Sequence, residues 1–229
     1  MNELALFAGA GGGLLASLFA GWKTVCAVEL DWYCRCVLAQ RQNDGLLPIF
    51  PIWDDVRTFD GRPWRGRIDV VSGGFPCQAF STAAAGRNNA DDLWPEMFRI
   101  VADVAPRYVF AENVSAKAID KACDDLESLG YKTNAISLSA QDLGADHSRE
   151  RHWLLAYTHD KSELLRGLYA KVAELPSMAR GVWVSDPGIP RISDGVAHRM
   201  DRLKATGNGQ VPVVAFAALA ALAESEEFK

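Results

Sequence analysis

Val70-Val71-Ser72-Gly73-Gly74-Phe75-Pro76-Cys77-Gln78 is an apolar run that stops at two glycines and presents a cysteine directly after a proline. Asp69-Val70-Val71 reads as a buried strand, Gly73-Gly74 permit a tight exit, and Pro76 fixes the backbone beside the thiol. A strand end of this kind holds out a nucleophile in a loop, although a buried structural cysteine is the commoner fate of a lone Cys. The small residues that follow, Ser81 through Ala90, have the composition of a lid over a substrate.

N-terminal to that stretch, Leu4-Ala5-Leu6-Phe7 is a short apolar strand, Ala8-Gly9-Ala10-Gly11-Gly12-Gly13 a turn, and Leu14 to Gly21 helical. The glycines let the backbone approach a ligand closely. Leu14 occupies the place of a third glycine and no Gly-Lys-Ser/Thr follows, so neither a dinucleotide fingerprint nor a phosphate loop is present. Thr24 to Val28 reads as a second strand ending in Glu29-Leu30-Asp31. Glu29 is placed either to accept hydrogen bonds from two ribose hydroxyls or to cap the helix that begins near Trp32. A ligand with a ribose and no phosphate requirement fits, and S-adenosyl-L-methionine is one. Asp55, in Trp53-Asp54-Asp55-Val56 at a short third strand, is placed to meet an adenine amino group or is an exposed loop acid. Cys34 and Cys36, two apart on a helix, point about 200° from each other, so they share no ion and read as packing residues.

C-terminal to it, a helix at Pro95 to Val104 leads to the apolar strand Arg107 to Ala111, which ends in Glu112-Asn113-Val114. If this strand neighbours the cysteine strand, about 4.8 Å away, Glu112 lies beside the cysteine loop. After a helix over Ala116 to Gly130 and a strand over Tyr131 to Leu138, an extended His147-Ser148-Arg149-Glu150-Arg151 sends His147, Arg149 and Arg151 to one side. Two guanidiniums there suit a phosphate or a base carbonyl, or are exposed edge arginines. Beyond Tyr157 come a charged helix over 160–175, a loop over 176–190 and a basic segment Arg191 to Lys204. Gly207-Asn208-Gly209-Gln210-Val211-Pro212 then opens an alanine-rich helix to about Glu224.

The 229 residues and 49% hydrophobic content fit one domain with a core, or one plus a small appendage. Five cysteines, an odd number, suit a reducing cytoplasm. No basic region follows Met1 and no apolar stretch reads as long enough to cross a bilayer, so neither a signal peptide nor a membrane partner is expected. The net charge of -5 argues against nucleic-acid binding, but Arg149, Arg151 and His152 form one basic cluster and Arg191, Arg199, Arg202 and Lys204 another. Each also reads as a solvated face.

Taken in order, these motifs resemble the cytosine-C5 DNA methyltransferase family from end to end, in the form of its small phage or prophage members. Phe7-Ala8-Gly9-Ala10-Gly11-Gly12 resembles the cofactor turn, Glu29-Leu30 the ribose and adenine contact and Asp55-Val56 the adenine contact. Pro76-Cys77-Gln78, Glu112-Asn113-Val114 and Arg149-x-Arg151 resemble the catalytic motifs, and Gly207-Asn208 the last motif. The resemblance implies an α/β fold, a mostly parallel sheet with helices on both faces. Residues 1–158 are expected to form the catalytic core, 159–190 a reduced recognition region and 191–229 a basic segment with a helix returning to the core. It implies Cys77, Glu112, Arg149 and Arg151 as catalytic residues. S-adenosyl-L-methionine would be held by Phe7, Ala10, Gly11, Gly12, Glu29, Leu30, Asp55, Val56, Pro76, Leu93, Asn208 and Gln210. Double-stranded DNA would be met by Gln78, Ser81, Arg87, Arg191, Arg199, Arg202 and Lys204, and no metal is expected. The implied reaction flips a cytosine out, adds Cys77 at C6 and methylates C5. His147 replaces the glutamine that usually opens the arginine motif, and Leu30 stands where an aromatic often stacks on adenine. Only about thirty residues, Tyr157 to Pro190, stand where a recognition domain of 50 or more is usual. A partner chain or oligomer supplying specificity, a transfer-RNA substrate and a non-catalytic binding subunit are the alternatives; a cysteine hydrolase using His147 or His152 lacks triad logic.

Overall fold

The computed structural model describes residues 1–77, 92–172 and 199–225. Gln78, Ser81, Arg87 and Arg191, the small-residue stretch 81–90 and the loop 176–190 therefore lie outside the described residues, as do the side chains of Arg199 and Arg202. Seven strands, β1 (Asn2–Leu6), β2 (Lys23–Val28), β3 (Ile52–Trp53), β4 (Val70–Gly74), β5 (Tyr108–Asn113), β6 (Lys132–Leu138) and β7 (Arg151–Tyr157), form one sheet in the order β3-β2-β1-β4-β5-β7-β6. β3, β2, β1, β4 and β5 run parallel, while β7 is antiparallel to both β5 and β6. The helices are α1 (Gly12–Phe19), α2 (Trp32–Asn43), α3 (Trp94–Val104), α4 (Ala116–Ser128), α5 (Ser162–Val172), α6 (Arg199–Asn208) and α7 (Pro212–Glu224).

Successive strand residues point to opposite faces, and here both faces are apolar. Val71, Val109, Ala111, Leu154 and Ala156 pack under α3 and α4. Val70, Tyr108, Phe110, Trp153, Leu155 and Tyr157 pack under α1, α5 and α7, and Ala5 and Ala27 under α1 and α2. The near-continuous apolar runs follow from that double coverage, since each residue of a central parallel strand is buried whichever way it points. Parallel pairing puts the carboxyl ends of β1, β2, β3, β4 and β5 along one edge, where ligands bind in such sheets.

One polar cluster interrupts the core. Glu3 of β1 is fully buried and accepts hydrogen bonds from Ser17 of α1 at 2.5 Å, Thr24 of β2 at 2.7 Å and Ser72 of β4 at 2.6 Å. Burial raises the pKa of this carboxyl above the ordinary range, and the three hydroxyls oppose that only in part.

Two expectations are corrected. Cys36 is exposed and only Cys34 packs inward, because the half-turn offset that separates them sends one to solvent. Lys204–Glu224, 21 residues of mean hydropathy 1.3, is long and apolar enough by composition to cross a membrane. That stretch is broken between α6 and α7 at residues 209–211, and Val214, Ala215, Ala218, Leu219, Leu222 and Ala223 of α7 are buried in the core.

Candidate active site

At the carboxyl end of β1 the chain reverses in a tight turn. Phe7 leaves the strand with φ +53°, uncommon for a side chain of that size, and Gly9 and Gly11 follow at +54° and +93°. Gly11 N donates to Ala8 O at 3.1 Å, and α1 starts at the next residue. Glu29, at the end of β2, accepts from Gly9 N at 2.7 Å through Oε2 and from Asp31 N at 2.7 Å through Oε1. The helix cap falls instead to Asp31, whose Oδ1 accepts from Cys34 N at 3.1 Å. Each Glu29 oxygen keeps a further lone pair, so two hydroxyls still find acceptors there. Burial raises the pKa of Glu29, with the two backbone amides opposing.

Of the other residues expected to meet the cofactor, Leu30 is exposed, Val56 is buried, and Ala10 and Leu93 are half-buried. Asp55 caps the short turn Val56–Thr58, accepting from both Arg57 N and Arg57 Nε at 3.0 Å, which holds its carboxyl below the usual range. The α6–α7 junction closes over the glycines. A Cβ on Gly12 would stand 2.1 Å from Gln210 O, and one on Gly13 2.5 Å from Gln210 Oε1. A glycine-rich turn and, hydrogen-bonded to it, an acid with spare lone pairs form a cradle that fits an adenosyl group. Asn208, the last residue of α6, is exposed beside it.

Beside that turn, β4 and β5 pair in a register that sets Gly74 against Glu112. A Cβ on Gly74 would lie 2.6 Å from Glu112 Oε2 and 3.0 Å from Gln210 Nε2, so the second glycine of the Gly73-Gly74 pair makes room for the carboxylate. Glu112 is 7% exposed. Its Oε1 meets Arg151 Nε at 2.9 Å, and Oε2 accepts from Gln210 Nε2 at 3.5 Å. Burial raises its pKa; Arg151, Gln210 and Arg149 oppose. The Cys77 thiol, half-buried at the end of the same loop, donates to Asn113 Oδ1 at 2.6 Å. Its pKa is raised, chiefly by burial and further by Asp92 and Glu112; an Asn113 amide would lower it by donating N–H to the sulfur, but Oδ1 is the atom that faces Sγ here. Leu93 N donates to Pro76 O at 3.2 Å and so joins the two ends of the cysteine loop.

The two arginines do different things. β7 starts at Arg151, which faces Glu112, whereas Arg149 precedes the strand and donates through Nη2 to Gly207 O at 2.8 Å and Gly209 O at 2.6 Å, clamping the end of α6. His147 is exposed beside Asp146. Lys204, read from sequence as a DNA contact, places Nζ 2.7 Å from Asp31 Oδ2. Among the described residues no group of three or more His, Cys, Asp or Glu is placed to hold a metal ion. Sequence reasoning missed the link from Gln210 to Glu112 and the contacts of Asn113. Strand alternation was the available signal for Asn113, since it turns that residue away from the side taken by Glu112.

Residues 1–186 match the family described as C-5 cytosine-specific DNA methylase. The chain belongs to that family. Its methyl donor is S-adenosyl-L-methionine. The chain is 36% identical over 138 residues to the type II methyltransferase M.PspPI of Psychrobacter sp. (strain TA137), a match covering 56% of this chain and 32% of the relative. It is also 36% identical over 176 residues to M.Eco47II of Escherichia coli, covering 70% and 40%. Across eight curated relatives the match spans between 32% and 54% of their length, so the chain spans about half or less of each. A solved DNA modification methyltransferase encoded within an E. coli prophage superposes with a TM-score of 0.53 at 26% identity, covering 69% of this chain and 46% of that one. The S. pombe Dnmt2 methyltransferase shares the fold, with a TM-score of 0.56 at 21% identity over 70% and 52%.

Proposed function

We propose that this chain transfers a methyl group from S-adenosyl-L-methionine to C5 of a cytosine flipped out of duplex DNA, through a covalent bond between Cys77 and C6. One observation carries the reading: the Gly74 to Glu112 register brings a cysteine loop and a buried carboxyl to the edge that also bears the glycine turn.

C5 of cytosine is a poor nucleophile until the ring is made electron-rich. Addition of sulfur at C6 does this: the Sγ–C6 bond forms, the thiol gives up its proton, and the displaced electron pair moves toward C5. Glu112 offsets the charge by giving a proton to N3, a role suited to a carboxyl that burial keeps protonated above the ordinary range. Arg151 holds that carboxyl in place through Oε1. The bound cofactor supplies an electrophilic methyl on a sulfonium. Glu29 would hold its ribose hydroxyls and Asp55 its adenine amino group, with Phe7, Leu30, Val56, Pro76 and Leu93 the apolar residues that would receive the adenine. Loss of the C5 proton to water, departure of the Cys77 sulfur and return of the N3 proton to Glu112 then restore the aromatic base. Arg149 serves the site by holding the α6 end, and with it Gln210, against the glycine turn.

Duplex DNA is favoured over transfer RNA because the relatives at 36% identity are type II methyltransferases. Sequence specificity belongs to residues outside the described ones or to a partner chain. All five cysteines are free, which suits action in the cytoplasm. The test is transfer of tritiated methyl to duplex DNA and to transfer RNA, side by side. Label in DNA that depends on Cys77 is expected; label in transfer RNA alone would overturn the choice of polymer.

A further inference from the structure

We propose that Asn113 parks Cys77 as a protonated thiol, turned away from the substrate side, until a target base draws the sulfur off. This rests on Cys77 being the nucleophile. β5 sends Glu112 to the face covered by α1 and α7 and Asn113 to the face covered by α3 and α4, where Cys77 packs against the core. Two backbone groups fix the orientation of the buried Asn113 amide. Nδ2 donates to Phe75 O at 2.8 Å, and Oδ1 accepts from Ser115 N at 2.9 Å. The amide cannot flip without losing both bonds, so the atom that faces Sγ is a carbonyl oxygen.

A carbonyl oxygen only accepts. It stabilises S–H and repels a thiolate, and so favours the neutral form. Among the described residues, the charged groups that act on the thiol are Asp92, ahead of α3, and Glu112 of β5, both carboxylates that oppose ionisation. Among the described residues, no positive charge balances them there. The resting sulfur is therefore less reactive than a free thiol, because the thiolate is the nucleophile. Rotation about Cα–Cβ breaks the contact with Oδ1, turns the sulfur toward the edge occupied by Glu112, and frees the proton to leave as the bond to C6 forms. Asn113 is in this sense a positioning residue, which spares the cysteine from side reactions when no base is bound.

The test reads the thiol without any methyl transfer. Iodoacetamide alkylation of Cys77 is followed from pH 6 to 10 by peptide mass spectrometry in the intact protein, with the exposed Cys36 as the internal reference for reagent and fold. Asn113→Ala is expected to lower the midpoint and to speed Cys77 alkylation at pH 7 by about threefold, half a pKa unit. Asn113→Asp keeps the acceptor and adds a negative charge, so it is expected to raise the midpoint and slow alkylation by a similar factor. Coincident profiles for all three proteins would overturn the proposal, as would faster alkylation of Asn113→Asp. If circular dichroism shows Asn113→Ala unfolded, the direction of the Asn113→Asp shift decides alone. Because Cys77→Ala activity is measured separately, failure of the methyltransferase reading and failure of the parked thiol remain distinct.

Discussion

Glu112 and Gly74 show how a single hydrogen atom decides the site. The carboxylate fits over the sheet only because residue 74 has no Cβ, and the atoms that a Cβ would strike, Glu112 Oε2 at 2.6 Å and Gln210 Nε2 at 3.0 Å, are the ends of movable side chains. A Cβ at Gly73 would instead meet the backbone carbonyl oxygen of Leu6 at 2.7 Å, which moves only with the sheet. The two neighbouring substitutions should therefore separate activity from stability. Gly74→Ala is expected to lower methyl transfer by about 10² or more by displacing the acid, while its melting temperature falls by only a few degrees. Gly73→Ala should melt far lower, consistent with about 1–3 kcal/mol of overpacking. Equal melting temperatures for the two, with full activity in Gly74→Ala, would show that the carboxylate does not depend on that space.

Among the elements, β1 is tied to its neighbours by the Glu3 cluster as well as by its ladder. The folded pKa of Glu3 is raised, so as pH climbs past the unfolded value of about 4.3 the unfolded chain gives up this proton before the folded one does. Stability from this group is complete below that value and is lost as pH rises through the folded pKa. Glu3→Gln removes the titration, and its melting temperature should fall less steeply than that of the unmodified chain between pH 4.5 and 7.5; parallel curves would contradict it. A second tie is Arg149, whose Nη2 donates to both carbonyls from a planar head that the shorter, tetrahedral lysine ammonium does not reproduce. Arg149→Lys should leave the melting temperature within a few degrees and raise the cofactor KM several-fold, whereas an unchanged KM would leave Arg149 without this role. The central strands β4 and β5 were legible because each is an apolar run ending in a glycine or an acid, at Val70-Val71 and at Phe110-Ala111-Glu112. The strand order was not, since no local pattern says that β7 inserts between β5 and β6. Nor could sequence show that Arg149 bonds to carbonyls 58 and 60 residues away, a contact set by how α6 docks. Cys36 was misread because propensity to bury was applied to both cysteines, although helix geometry allows it to only one.

At the scale of the molecule, five parallel strands deliver their carboxyl ends to one edge, and both faces are closed by helices. The arrangement leaves that edge as the place where a glycine turn, a buried carboxyl and a thiol converge. The net charge of -5 gives the chain little general attraction for a polyanion, so its chemistry depends on local contacts. What unites these parts is a transient bond from Cys77 to a cytosine ring. The most direct test uses a duplex carrying 5-fluorocytosine, whose C5 fluorine cannot leave as a proton and so arrests the reaction at the covalent stage. With S-adenosyl-L-methionine present, mass spectrometry of the digested complex is expected to find the base joined to the peptide containing Cys77, and no adduct with Cys77→Ala. An adduct on another residue, or full methyl transfer by Cys77→Ala, would contradict the account.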